Sequence, residues 1–116
     1  MTKRDPEKLL PLSPAVFHVL LALVDAERHG YGIIKEVEGR TEGKLRLGAG
    51  TLYGGIKRML LEGLVVVSDE RPDPEVDERR RYYRLTDFGL RVVSAEARRL
   101  EHLVSVAREK RILSIA

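Results

Sequence analysis

The order of the structural elements in this chain is set by residues 49–67, which read AGTLYGGIKRMLLEGLVVV. Leu52, Ile56 and Met59 recur at steps of three and four residues, which is typical of a helix with one apolar face. Gly63 follows the last apolar turn and is the residue type expected in a left-handed helix cap. The β-branched run after it indicates a strand. The stretch therefore predicts a third helix over residues 49–62 and a strand over residues 64–68.

Two shorter helices are predicted before this stretch. Ser13 can cap orphan amide groups, and Pro14 suits the first helical position, so a helix begins there. It is apolar nearly all round, which indicates a central helix or one shared with another subunit. A second helix opens at Gly30 and is stopped by Gly39 and Gly43. Residues 1–12 contain two prolines and mixed charges and are expected to form a flexible arm.

The segment after residue 68 predicts a hairpin and one long helix. Residues 81–85, RYYRL, suit a strand that returns beside residues 64–68, and the proline-containing, acidic segment between them suits a loop. Thr86 is a good cap for a final helix from Asp87 to about Lys110. Apolar residues recur along this helix as at the a and d positions of a coiled coil. They are Leu90, Val93, Ala97, Leu100, Val104 and Ala107.

The length of the last helix predicts a dimer. About 24 residues span about 36 Å, which is too long for a domain of this size to cover. A second copy of the chain is the simplest partner for the seam, with Phe17 of the first helix also at the interface. The alternative is that the seam packs wholly on the first helix of its own subunit.

Composition excludes several classes of protein. The chain has 116 residues, 43% of them hydrophobic and 34% charged, which is typical of one globular domain. It has no cysteine, and its three histidines lack the spacing of metal ligands. No phosphate-binding loop or nucleophile with a base is visible, so we expect neither an enzyme nor a cofactor. No apolar run approaches the roughly 20 residues of a membrane helix, and no signal peptide is evident. The expected location is therefore the cytoplasm, with no membrane partner.

Charge is unevenly distributed along the chain. The net charge is +3, but residues 40–61 hold five basic residues and one acidic residue, and residues 79–116 hold ten basic and four acidic. Residues 62–78 are the opposite, with one basic and seven acidic residues. The basic segments indicate either a nucleic-acid surface or ordinary solvated helix faces.

Three helices followed by a hairpin are the parts of a winged helix-turn-helix, a mainly α fold class. We assign residues 13–86 to such a DNA-binding domain and residues 87–116 to a dimerisation helix. In this architecture the third helix enters the major groove, and the hairpin forms a wing beside it. The candidate DNA-binding residues on or before the third helix and at the base of the wing are Arg46, Gly50, Thr51, Tyr53, Lys57, Arg58, Arg79, Arg80 and Arg81.

Two features leave alternatives open. Tyr53 can reach a phosphate with its hydroxyl or serve purely in core packing. Six acidic residues between positions 69 and 78 would be repelled by phosphates, so the wing tip either points away from DNA or pairs internally with arginines. The alternative function is a winged-helix protein-interaction module that does not bind DNA.

Four motifs resemble the PadR family of bacterial transcriptional regulators. They are HGYGII at 29–34, GTLYGGIKRM at 50–59, EGLV at 62–65 and RRRYYRLT at 79–86. The resemblance runs from about Ser13 to Lys110. It implies a homodimeric repressor with the last helix at the dimer interface, a palindromic operator in double-stranded DNA, and often release by a small planar or phenolic effector.

The resemblance also assigns positions. Thr51, Tyr53 and Lys57 match recognition-helix positions of the family, and Tyr31 and Lys35 lie in the helix before it. The chain departs from the family pattern at Gly55, where alanine is common, and in its acidic wing tip. It also has no tryptophan, so an effector pocket built on indole stacking is excluded.

Overall fold

The computed structural model describes residues 4–68 and 81–114. A short 3-10 helix (Pro6–Leu9) precedes α1 (Pro14–Ala22), β1 (Arg28–His29), α2 (Gly30–Arg40), α3 (Ala49–Leu61), β2 (Val65–Val67), β3 (Tyr82–Leu85) and α4 (Asp87–Glu109). This mostly helical architecture with a small antiparallel sheet confirms the predicted fold class.

Local capping residues place the starts of α1 and α4 and the end of α3 where the sequence predicts them, whereas α2 continues past Gly39 to Arg40. The Ser13 hydroxyl accepts a hydrogen bond from the Val16 amide at 3.2 Å, and Thr86 Oγ1 accepts one from the Gly89 amide at 2.9 Å. Gly63 has a φ of +76°, the left-handed conformation expected of the residue that follows α3. These caps satisfy amide groups and carbonyls that a helix end leaves without partners.

The sheet has three strands in the order β1-β3-β2, and both pairings are antiparallel. The expected hairpin is present, with Val66 opposite Arg84. The sheet also has a third strand that the sequence did not predict, since Arg28 pairs with Tyr83 on the other edge of β3. A two-residue strand is too short to show the alternation of apolar and polar residues that predicts a strand. It is therefore recognised only by its backbone hydrogen bonds.

The core lies between the helices and one face of the sheet. Leu20 of α1, Ile33 and Val37 of α2 and Val92 of α4 are fully buried, and they are joined by Leu52 of α3. The first helix is therefore central, as its all-round apolar character predicts. Within residues 4–68 and 81–114, no helix is both long enough and apolar enough to cross a membrane.

The N-terminal segment is attached to the rest of the fold. A loose arm was expected over residues 1–12, but the described part of it contains the 3-10 helix and contacts α4. The Arg4 guanidinium lies 4.1 Å from the ring centroid of Phe88, and the Leu12 amide donates to Glu96 Oε2 at 2.7 Å. Glu96 is almost fully buried, and a buried carboxylate requires hydrogen-bond donors, which this segment helps to supply.

The apolar seam of α4 divides into two parts. Val93 is 3% exposed and lies in the core of its own chain, which corrects its assignment to the dimer interface. Further along, Leu103 is 50% exposed and Val104 is 37% exposed, while Leu100 is half-buried. In the first half of α4, Val93 thus belongs to the core, whereas Leu90 is 47% exposed. The second half carries apolar side chains that extend beyond the core.

Candidate nucleic-acid interface

The face of α3 opposite the core is open. Leu52, Ile56 and Met59 point inward and are buried, whereas Gly50, Thr51, Gly54 and Lys57 are exposed. A Cβ atom built on Gly50 or Gly54 would meet nothing within 4 Å. The backbone of this helix can therefore be approached closely from outside.

Basic side chains border the open face. Lys57 is exposed and forms no ion pair with any residue that the structure describes. The Arg58 side chain is 83% exposed, and its Nε lies 3.2 Å from Glu62 Oε1. Arg46, just before α3, is also exposed. Lys57 and Arg58 thus flank the open face of α3, where a phosphate backbone could meet them.

Tyr53 packs against another helix and is also partly exposed, and its contact with a phosphate stays a prediction. A Cβ atom at Gly30 would lie 2.3 Å from Tyr53 Oη and 2.7 Å from Tyr53 Cζ, so the phenol packs directly on the start of α2. Half of the residue is nevertheless exposed. Tyr53 therefore joins α2 to α3 without being fully buried.

The start of α2 is held by a histidine that the sequence analysis did not single out. His29 Nδ1 accepts a hydrogen bond from the Gly32 amide at 2.9 Å and caps the helix. Its ring lies 5.2 Å from that of Tyr82 in an edge-on arrangement. A side-chain acceptor directly before a helix start is the sequence signal for such a cap, although histidine is a less usual residue there than serine or aspartate.

Tyr31 and Lys35 extend this surface along α2. Tyr31 is 55% exposed, and the Lys35 ammonium lies 5.2 Å from its ring centroid. Behind them, burial raises the pKa of Tyr83, and the nearby phenol of Tyr53 raises it further. All four tyrosines of the chain therefore lie around the start of α2, and two of them, Tyr31 of α2 and Tyr53 of α3, are about half exposed.

The wing is described only in part. Arg81 is exposed immediately before β3. Arg79, Arg80 and the acidic residues from 69 to 78 lie outside the described residues, so contacts between the wing and DNA stay a prediction.

One exposed apolar residue on α3 was not anticipated. Leu61 is 81% exposed and lies four residues after Lys57, on the same side of the helix. Its exposure could have been predicted from the sequence, because Leu61 does not continue the steps of three and four residues that connect the buried positions of α3. Among residues 4–68 and 81–114 there is no group of acidic or histidine side chains that could hold a metal ion.

Comparison with known proteins identifies the relatives of this chain. The family model described as "Transcriptional regulator PadR-like family" matches residues 19–95. An uncharacterised protein of Lysinibacillus sphaericus is 31% identical over 71 residues, which cover 61% of this chain and 63% of that protein. The match thus spans less than two thirds of that relative's length.

Solved structures share the fold. A PadR-like transcriptional regulator from Bacillus cereus has a TM-score of 0.69 and 17% identity, covering 86% of this chain and 93% of that one. A transcriptional regulator from Clostridium thermocellum has a TM-score of 0.67 and 22% identity, covering 84% and 92%. Bacillus subtilis PadR in complex with operator DNA has a TM-score of 0.60 and 18% identity, covering 72% of this chain and 46% of that one.

Proposed function

This chain belongs to the PadR-like family of transcriptional regulators, and we propose that it binds a palindromic operator in double-stranded DNA as a homodimer and represses transcription. Members of this family are regulators of transcription, not enzymes. Two further predictions accompany the proposal: release of the operator by a small-molecule effector, and a location in the cytoplasm.

The observation that carries the proposal is the open face of α3. The major groove of duplex DNA admits one helix, and α3 presents Thr51, two unobstructed glycines and Lys57 on the side away from the core. Thr51 can contact a base edge or a phosphate. Lys57 and Arg58 supply positive charge to the phosphate backbone.

The tyrosine-rich start of α2 supports the same proposal. Tyr31 and Lys35 of α2 and Tyr53 of α3 are exposed, and hydroxyl and ammonium groups are common donors to phosphate oxygens. Such contacts would set the register of α3 in the groove, while contacts from α3 itself would read the sequence.

The exposed second half of α4 supports the dimer. Leu103 and Val104 are apolar and substantially exposed, and the half-buried Leu100 and Ala107 lie beside them on the helix. Pairing this segment with its copy would remove apolar surface from water. A two-fold dimer that places its α3 helices about 34–36 Å apart would meet two successive major grooves.

A titration with duplex DNA tests the proposed function. The protein is added to a fluorescent random duplex at low salt and at several higher salt concentrations, and anisotropy is measured. We expect measurable affinity at low salt that falls steeply as salt rises, because bound cations are released from phosphates on binding. Absence of affinity at low salt would contradict DNA binding and favour the protein-interaction module.

Sequencing genomic fragments retained by the protein would then show whether the bound sites are palindromic, and transcription from such a fragment in vitro would test repression.

A further inference from the structure

A cavity of about 310 Å³ lies between the N-terminal segment, the start of α1 and the end of α3. Its size falls in the lower part of the range of small-molecule sites. One wall carries Arg58, which also borders the proposed DNA-binding face, so the cavity and that face share a side chain.

The apolar wall of the cavity is aliphatic. It consists of Leu9, Pro11, Leu12, Val16, Met59 and Leu64. Met59 and Leu64 are almost fully buried and form its floor, and no aromatic side chain lines it. These surfaces fit a flexible hydrocarbon chain and offer no ring on which a planar molecule could stack.

The polar rim of the cavity favours an anion. It contains the cationic side chains of Lys8 and Arg58 and a single carboxylate, Glu62, which is already bound to Arg58 Nε. Lys8 forms no ion pair within the described part of the chain. Ser13 and Val16 place the N-terminal end of α1 at the rim, and its first turn has no acidic residue to offset the positive end of the helix dipole.

We propose that this cavity binds an aliphatic monocarboxylate. The hydrocarbon chain packs on the aliphatic wall, and the carboxylate lies at the rim between Lys8 and the guanidinium nitrogens of Arg58 that Glu62 does not use. If the proposed function holds, the ligand also weakens DNA binding, because its carboxylate and a DNA phosphate compete for the same guanidinium.

The chain offers a specific reporter of this site. It has two methionines, Met1 and Met59, so labelling with 13C-methyl methionine yields two signals, of which one comes from the cavity floor.

Octanoate, with about ten non-hydrogen atoms, is a suitable probe. We expect a saturable shift of the Met59 methyl signal with octanoate, and at least about tenfold weaker binding of 1-octanol and octylammonium, which lack the negative charge. Absence of a saturable Met59 shift, or equal binding of the three probes, would overturn the proposal.

Substitutions of Lys8, with Lys110→Glu as the control, test where the carboxylate of the ligand binds. Lys8→Glu is expected to lower octanoate affinity by about tenfold or more. Lys110→Glu makes the same charge change at the exposed end of α4 and is expected to leave octanoate affinity unchanged. Lys8→Met removes the charge but keeps a linear side chain, and it serves if Lys8→Glu does not fold. Unchanged octanoate affinity in the folded Lys8 variants would show that the assigned site is wrong.

DNA binding in the presence of octanoate tests the link to regulation. The expected result is a lower affinity of the wild-type protein for duplex DNA, and a smaller effect of octanoate in Lys8→Met. Octanoate binding with no change in DNA affinity would overturn the competition for Arg58. If the protein binds no DNA at all, the proposed function fails, but the Met59 titration still decides whether the carboxylate site exists.

Discussion

The phenol of Tyr53 rests on the backbone of Gly30, so closely that any side chain at position 30 would collide with its hydroxyl. This contact joins the start of α2 to the middle of α3. Tyr31 and Lys35 on one helix and Thr51 and Lys57 on the other are therefore held in a defined relation. We expect the geometry of the proposed DNA-binding surface to depend on this close approach.

Replacing Gly30 with alanine is expected to weaken DNA binding more than it weakens the fold. The added methyl group would displace the Tyr53 ring, which can swing outward because half of the residue is exposed. We expect about a tenfold loss of affinity for duplex DNA, equivalent to about 1.4 kcal/mol, measured by fluorescence anisotropy. Gly39→Ala, where the methyl group meets nothing within 4 Å, is the matched control and is expected to bind normally. Normal binding by Gly30→Ala would show that the contact does not shape the surface.

Removing the Lys57 charge is expected to change the salt dependence of DNA binding. If its ammonium meets one phosphate, Lys57→Ala lowers the affinity and reduces the slope of log K against log salt by roughly one unit. Lys110→Ala, at the far end of α4, removes the same charge and is expected to leave the slope unchanged. A slope equal to that of the wild type in Lys57→Ala would argue against the phosphate contact.

Gly89→Ala is expected to destabilise the whole domain. A Cβ atom there would lie 2.0 Å from the carbonyl oxygen of Leu64, which is backbone and cannot move aside alone. We expect a loss of about 3 kcal/mol in the free energy of unfolding, typical of a severe steric conflict in a packed interior. Urea denaturation measures the loss. Gly39→Ala is expected to be neutral or stabilising by up to about 1 kcal/mol, since it replaces an unobstructed helical glycine. Equal stability of the two variants would refute the close packing at Gly89.

Leu100→Asp is expected to dissociate the proposed dimer into monomers. The substitution places a charge in the apolar strip of the second half of α4, where the proposed interface would bury it. Sedimentation velocity should show a monomer with poor DNA affinity. Ser105→Asp adds the same charge at an exposed position of the same helix and should leave the dimer in place. A stable dimer of Leu100→Asp would mean that the copies associate elsewhere.

The ionisation of Glu96 is expected to make the free energy of unfolding depend on pH in the acidic range. The hydrogen bond from the Arg99 guanidinium holds the pKa of Glu96 below its ordinary value, and the Leu12 amide adds to this against the opposing effect of burial. Because the pKa is lower in the folded state, ionised Glu96 stabilises the fold at neutral pH. This stabilisation is lost as pH falls below about 4.5 and through the folded-state pKa.

Glu96→Gln tests this dependence. We expect it to be less stable than the wild type at neutral pH, because the Arg99 guanidinium and the Leu12 amide lose their charged acceptor, and to lose less stability than the wild type on acidification. Urea denaturation across the acidic range measures both effects. Glu101→Gln, at an exposed position of α4, is the control and should follow the wild-type curve. An unchanged acid dependence in Glu96→Gln would assign the transition to other groups.

Features that depend on a few adjacent residues were predicted from sequence. The caps at Ser13 and Thr86 and the left-handed Gly63 are local, since each acts on amides or carbonyls within four residues. The buried face of α3 follows from the spacing of Leu52 and Ile56, which the helix period determines.

Features that depend on distant partners were not predicted. Strand β1 exists because Arg28 meets Tyr83, more than fifty residues later. The arm is attached because Leu12 reaches a buried carboxylate on α4. Val93 lies in its own core, although its heptad position is equivalent to those assigned to the interface, because periodicity shows that a face is apolar but not which surface covers it.

By itself the sequence determined the order of the helices, the starts of α1 and α4, and the family to which the chain belongs, since these follow from short motifs and local hydrogen bonding. The tertiary structure decided where the helices meet: Tyr53 on Gly30, Gly89 on Leu64, and the aliphatic cavity beside Arg58. The physical reason is that close packing brings together surfaces from distant parts of the chain, and a local sequence pattern does not show which surfaces will meet.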